Sequence, residues 1–214
     1  MLKELNPEKA LIFRIMHRDS LPWALDNGLR CRGSSRRDPN FVDIGNPDLI
    51  EKRRYQRVSQ APGGLLSDYI PFYFTPLSMM AFNIYTGHNG VRKRDGSELV
   101  ILVSSLHGLK KDGVRFLFSD RHASTVGAQV TSDLDCLPRW IDWEILQRRD
   151  FSRDNDDIGK TDRYQAEALV YRHLPVKSWA GIACYNHEEK ARIEKMVLER
   201  GLELKIIAKR GWYF

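Results

Sequence analysis

The chain has 214 residues, enough to bury a substantial core, and is most simply read as one domain over residues 1–214. It is 42% hydrophobic and 10% aromatic with no run of about 18 apolar residues, and its opening MLKELNPEKALIF lacks a signal-peptide core, so no membrane-spanning segment or signal peptide is expected. Lys plus Arg outnumber Asp plus Glu by 34 to 28, which fits a polyanionic partner or a solvated basic surface, while three scattered cysteines (Cys31, Cys136, Cys184) form no CxxC pair and point to a reducing cytoplasm without a zinc site.

Taken in chain order, Ala10 to Met16 is a short apolar run of strand length, interrupted by Arg14. Asp19 or Ser20 caps a short helix with Pro22 in its first turn and Gly28 at its end. Arg30 to Asn40 is polar and Arg-rich, hence a loop. Asn46 followed by Pro47 is a helix start, and the helix is expected to carry Glu51, Lys52, Arg53 and Arg54. Pro62-Gly63-Gly64 is a turn. Tyr69 to Phe74, YIPFYF, reads as a strand whose Pro71 argues for an edge or a bulge. Ser78 to Tyr85 reads as a helix ending near Gly87, and Glu98 to Ser104 and Val114 to Phe118 as buried strands. Asp133 to Leu146 is helix or turn, and Phe151 to Asp162 an acidic loop. Gln165 to Tyr171 is a strand, His187 to Arg200 a helix before Gly201, and Leu202 to Ala208 a last strand. Strands and helices mix without βαβ spacing, so the expected class is α+β with a largely antiparallel or mixed sheet.

Glu167 is the one carboxylate in the strand RYQAEALVY. Period-two alternation puts it on a face with Gln165, Leu169 and Tyr171, backed by Ala166 and Ala168. On an edge strand it would be a solvent-facing glutamate, the commoner case; on a covered strand it needs a partner or a use. Arg14 inside an apolar strand calls for an anion, internal or bound. The stretch EKRRYQR, with Arg53, Arg54 and Arg57, is either a solvated face or a phosphate-binding one. YIPFYF is core or a stacking platform. His17 and His122 are each more often structural than catalytic. There is no Walker A, GxGxxG, GxSxG or HExxH, which removes support for P-loop, dinucleotide-fold, serine-hydrolase and zincin readings.

The blocks GGLLSDYIPFYFTPLSMMAFNIYTG, LVSSLHGL, FLFSDRHA, the IDW at Ile141 to Trp143, and QAEALV resemble the DarT family, in order and spacing, from about Ile12 to the final WYF. That family comprises toxins of toxin–antitoxin systems that ADP-ribosylate DNA. The resemblance implies an ADP-ribosyltransferase-like α+β fold with a split, mostly antiparallel sheet gripping NAD as co-substrate, with no metal. Its catalytic glutamate maps to Glu167 and its catalytic arginine to Arg53, with Arg54 as the neighbouring choice. Tyr73 maps near the nicotinamide end, and Arg14, His17 and Arg53 join it as NAD-binding candidates. Arg54, Arg57, Arg121, His122, Arg92, Lys93 and Arg94 are candidates for DNA contact, and the segment Arg30 to Arg37 for tracking its backbone.

Two departures bear on the acceptor. The family often has Tyr-His where this chain has Phe13-Arg14, and an arginine where it has Leu77. The resemblance then implies the guanosine-modifying branch, with thymidine as the other choice. A base nitrogen is reachable when unpaired, so single-stranded DNA is the expected substrate. The implied partner is an antitoxin that removes ADP-ribose, of macrodomain type or a similar hydrolase. The residues taken alone leave two other readings open: a non-catalytic nucleic-acid-binding module, and an ADP-ribosyltransferase acting on RNA or protein.

Overall fold

The computed structural model describes residues 2–214 and contains ten strands: β1 (Leu11–His17), β2 (Leu29–Arg30), β3 (Tyr69–Tyr73), β4 (Leu99–Ser105), β5 (Phe116–Ser119), β6 (Val130–Thr131), β7 (Glu167–Tyr171), β8 (His173–Leu174), β9 (Gly181–Cys184) and β10 (Ile206–Ala208). Eight of them form a mixed sheet in the order β10-β9-β4-β1-β3-β7-β5-β6, and β2 pairs with β8 apart from it. Every ladder is antiparallel except β9 with β10. The class is α+β, as the irregular element order implies.

The sheet is split in its middle. β1 pairs with β4 in continuous register from Leu11↔Ser105 to His17↔Leu99, and β3 pairs with β7 from Tyr69↔Tyr171 to Tyr73↔Glu167. Between these two halves only Phe13↔Tyr73 is in register. Pro71 helps to explain the split, because it has no N–H to give a neighbouring strand. Its carbonyl accepts from Arg14 Nη1 at 2.8 Å, so a side chain bridges where a backbone rung would be. The expectation of an edge or bulge at Pro71 is not met: β3 is an internal strand paired without a bulge to β7, and the missing N–H falls at the gap towards β1.

The core is continuous across both halves. β4 is buried from Leu99 to Ser104, and Ile12, Phe72, Phe118, Ala168 and Ile182 are all essentially solvent-free. Burying each such large aliphatic or aromatic side chain stabilises the fold by roughly 1.5–3 kcal/mol. The C-terminal aromatics close one end: Trp212 meets Phe13 edge-on at 5.2 Å, and Phe214 packs against Phe82 and Phe151. The helix His187–Leu198 buries Ile193 and Val197.

Several expected elements shift at their ends. The helix started by Asn46 runs Pro47–Lys52 and leaves Arg53 as its C-terminal cap. The acidic loop ends in a short helix, Lys160–Tyr164, and β7 begins at Glu167 rather than Gln165. The last strand is confined to Ile206–Ala208. The short strand β9 and the helix Leu106–Lys111 have no counterpart in the sequence reading, because GIAC and LHGLKK are too short to show a period. Among the described residues no helix is long and apolar enough to cross a membrane, no cluster of three or more potential metal-ligating side chains occurs, and all three cysteines are free.

Candidate active site

β7 lies between β3 and β5, so Glu167 is on a covered strand and is only 1% exposed. The solvent-facing alternative for this residue is therefore excluded. Arg53 Nη1 donates to both carboxylate oxygens, at 3.1 and 3.0 Å, and the backbone N–H of Ala123 donates to Oε2 at 3.2 Å. His122 Nε2 stands 3.9 Å from Oε1. Burial alone would raise the Glu167 carboxyl, but the charges of Arg53 and His122 and these hydrogen bonds outweigh it and hold the group below its ordinary range. Glu167 is thus an anion at neutral pH inside the protein.

The backbone around Arg53 is pinned on both sides. Its N–H donates to the Leu49 carbonyl at the end of the Pro47–Lys52 helix, and its own carbonyl accepts from Ser67 N–H. The helix is started locally, with the Asn46 side chain accepting from Leu49 N–H at 3.0 Å. The choice between two neighbouring arginines is decided here: Arg54 is exposed and pairs with Glu51, while Arg53 turns inward to Glu167.

Tyr73 is the cross-strand partner of Glu167, so the two side chains share a face with Cβ atoms roughly 5 Å apart. Burial first, and the Glu167 charge second, push its phenol well above the ordinary value. Tyr73 is therefore a neutral hydroxyl beside a carboxylate.

A cleft of about 750 Å³, counting space open to solvent, enters beside this centre. Arg14, Arg30, Arg32, Arg37 and Arg53 line it, against a single carboxylate, Asp43. Asp43 accepts from Arg32 and Arg37 at 2.9 and 3.0 Å. That leaves much of the guanidinium capacity unmet: the Nε atoms of Arg14, Arg30 and Arg32 and Nη2 of Arg53 are buried without a hydrogen-bond partner. Burial pulls Arg14 down to about 10, with Arg37 and Arg53 adding to the effect, so it remains a cation at neutral pH. Partly buried cations with unused donors suit a ligand carrying several anionic oxygens, such as a diphosphate. The apolar walls, Ile15, Phe41, Ile44 and Met80, suit flat rings.

The loop that supplies three of these arginines begins at Gly28, whose φ of +71° and whose Cβ position, 2.5 Å from the Leu174 carbonyl, admit only glycine. It is tied down by Val42 N–H donating to Ser20 Oγ and by the Arg37 guanidinium over the Phe41 ring. The sequence reading assigned Arg30 to Arg37 to the DNA backbone. Arg30, Arg32 and Arg37 line the cleft while Arg36 stays exposed, a placement that charge alone does not reveal because the opposite wall, β1 and β3, is distant in sequence.

Other expected site residues fall elsewhere. His17 does not line the cleft: its Nδ1 accepts from Asp19 N–H, and its Nε2 lies 3.6 Å from Glu98. Arg94 pairs with the same Glu98 at 3.3 Å, which makes this a separate cluster at the other end of β1. Arg92 and Lys93 are exposed, with Lys93 over the Tyr85 ring. His122 is closer to the chemistry than a groove residue, and Arg121 is bonded by two nitrogens to Asp120. Arg57 is exposed in the segment after Arg53. Leu77, the position where the family often has an arginine, is 1% exposed, and its carbonyl accepts from Tyr164 Oη.

Comparison with known proteins follows the same lines. The model of one family, described as ssDNA thymidine ADP-ribosyltransferase, DarT, matches residues 13–214. A DNA ADP-ribosyl transferase of Escherichia coli O127:H6 is 47% identical over 210 residues, covering 98% of this chain and 96% of that one. Among solved structures, Thermus sp. 2.9 DarT in complex with ADP-ribosylated ssDNA superposes with a TM-score of 0.87 at 29% identity, covering 97% of this chain and 98% of that one. The same protein in complex with NAD+ gives a TM-score of 0.82 at 29% identity, covering 97% and 99% of the two chains.

Proposed function

The chain belongs to the DarT family of DNA ADP-ribosyltransferases, and from that footing we propose that it acts as a single domain that transfers ADP-ribose from NAD to thymidine in single-stranded DNA, releasing nicotinamide. The observation that carries the reading is a buried, ionised Glu167 held by Arg53 at the side of a cleft whose buried guanidinium groups have donors to spare. The two Thermus complexes, with NAD+ and with ADP-ribosylated ssDNA, support the same pair of substrates.

In this reading Arg14, Arg30, Arg32 and Arg37 hold the diphosphate of NAD, and Tyr73 stands beside the nicotinamide riboside. Breaking the C1′–nicotinamide bond sends its electron pair to the leaving ring and builds positive charge on the sugar. Glu167 faces that charge and accepts from the ribose 2′-hydroxyl. Thymine N1 is already glycosylated, so N3 is the remaining ring nitrogen and must lose its proton as it bonds to C1′. Glu167 is the base for that proton. Arg53 Nη2, without a partner in the protein, is placed to stabilise the negative charge on the base. Arg54, Arg57 and Arg121 flank this centre and meet the DNA phosphates.

The family description supports thymidine over guanosine. The two departures that favoured guanosine lose their force as arguments about the base, since Leu77 is sealed in the core and Arg14 lines the cleft read here as holding the diphosphate of NAD, which any acceptor shares. A cytoplasmic toxin role, and an antitoxin that removes ADP-ribose, rest on the family resemblance. Labelled NAD incubated with single-stranded oligonucleotides that each lack one base tests the reading. Label should enter DNA unless thymidine is missing, and Glu167→Gln should transfer at least about 100-fold less. Transfer that stops only when guanosine is missing would reverse the choice of base. Transfer to no oligonucleotide, with DNA still bound, would favour a binding module.

A further inference from the structure

The catalytic carboxylate is held at one end of a short ladder. β5 and β7 are in register from Phe116↔Val170 to Phe118↔Ala168, and the next residue of β5, Ser119, pairs outward with Val130 of β6. Glu167, the first residue of β7, therefore lies one step beyond the last registered pair. Its backbone N–H donates instead to the Ser119 hydroxyl at 3.1 Å. The same hydroxyl donates to the Arg121 carbonyl at 2.5 Å, two residues on. Ser119 is fully buried, so water does not substitute for it. One hydroxyl thus joins the backbone of Glu167 to the turn Asp120–Ala123, and that turn returns two groups to the Glu167 side chain: the Ala123 N–H at 3.2 Å on Oε2 and the His122 ring at 3.9 Å from Oε1.

We propose that Ser119 is a positioning residue for the transfer reaction: its hydroxyl sets the distance between the Glu167 carboxylate and the turn that carries the Ala123 N–H and His122. The inference rests on the reading of Glu167 as the base. Ser119 touches neither the cleft nor any acceptor surface and acts only through its neighbours. Other links hold that turn from outside, with Gln56 Nε2 donating to the Ala123 carbonyl and Lys52 Nζ to the Ser124 carbonyl. Neither reaches Glu167. Without the Ser119 hydroxyl, the Glu167 N–H and the Arg121 carbonyl lose their shared partner, and the turn, still held from outside, is no longer set at a fixed distance from the carboxylate.

The groups that face Glu167 are Arg53, His122, Ala123 N–H and, across the ladder, Tyr73. Losing the Ala123 bond and retracting His122 removes two influences that keep the carboxyl ionised, while Arg53 and Tyr73 stay. The acid limb of the kcat profile should then move to higher pH.

The test compares wild type with Ser119→Ala and Ser119→Thr, each normalised to the fraction that binds NAD. In Ser119→Ala, kcat should fall by roughly 10- to 100-fold, the size of effect a misplaced catalytic group produces. KM for NAD should stay unchanged, and the acid limb should rise. Ser119→Thr keeps the hydroxyl and should recover both kcat and the limb. A merely structural serine would lower the thermal midpoint of Ser119→Ala and leave kcat and the pH profile of the folded fraction untouched, and that result would overturn the proposal. Should Ser119→Ala yield no NAD-binding protein, the same profile is taken on Ala123→Pro, which deletes the N–H on Oε2; an unmoved acid limb there would likewise overturn it. Wild type that transfers nothing to DNA would sink the functional reading itself, a distinct outcome.

Discussion

Two ionic clusters in this protein have similar composition and opposite character. Lys160 is buried at the start of the short helix before β7, and its ammonium donates to both oxygens of Asp150, to Ser152 Oγ and to Asp154 in the preceding loop. Three N–H groups meet oxygens on every side, so the cation is saturated. Arg53 and Glu167 are also buried and paired, yet Nη2 of Arg53 has no partner, nor has Nε of Arg14 across the cleft. A buried donor left open costs stability that a structural ion pair has no reason to sacrifice. Saturation suits the first cluster to fastening the loop; on the proposed reading, the open donors of the second are the ones that NAD would meet.

The comparison is broken or sharpened by substitution. Glu167→Gln keeps the size and one acceptor oxygen while removing the charge, the second acceptor and the base. It should cut transfer by about 10²–10⁴-fold, the usual worth of a positioned general base, with NAD binding retained, as measured by single-turnover transfer and by titration calorimetry. Substantial activity in that variant would mean that the cluster only fastens the sheet.

Arg53→Ala should lower transfer by roughly 10²–10³-fold and destabilise the fold by about 3–5 kcal/mol, because it strands Glu167 as a buried, unpaired charge. It also moves the pH profile in a defined direction. In the wild type the carboxyl is depressed below its ordinary 4.5, so its contribution to stability is present above that pH and is lost as pH falls through the depressed value. Removing Arg53 lets burial dominate, which raises the carboxyl and shifts the acid limb of both kcat and stability upward. A limb that does not move would show that Arg53 is not what holds the charge.

Arg14→Gln should act on binding, raising KM for NAD by about 10- to 100-fold if one or two charge-assisted hydrogen bonds are lost, with kcat changed little. An effect on kcat alone would place Arg14 at the chemistry rather than on the diphosphate. The smallest effect on activity is expected for Lys160→Met: the thermal midpoint falls by several degrees while kcat and KM per folded molecule stay put. If that variant also lost transfer, the loop before β7 would be part of the acceptor site.

The elements most legible in sequence were those with strong local causes. Asn46-Pro47 started a helix, Ser78 and Gly87 bounded another, and ELVILVS read as a buried strand, because caps and apolar runs act within a few residues. GIAC did not read as β9, since four small residues carry no period and become a strand only when β4 and β10 are beside them.

The sequence by itself determined that Glu167 is an isolated carboxylate in a strand, that arginines are abundant near residues 30 to 57, and that the block order matches a known family. Only the tertiary structure decided which arginine meets the glutamate, because Arg53 and Arg54 are equivalent in sequence and differ in which way a helix end points them. It also sent Arg30, Arg32 and Arg37 into the cleft and His17 and Arg94 to Glu98. Local propensity acts along the chain over a few residues, whereas the pairing of charges across 114 positions, as between Arg53 and Glu167, is set by how the sheet closes.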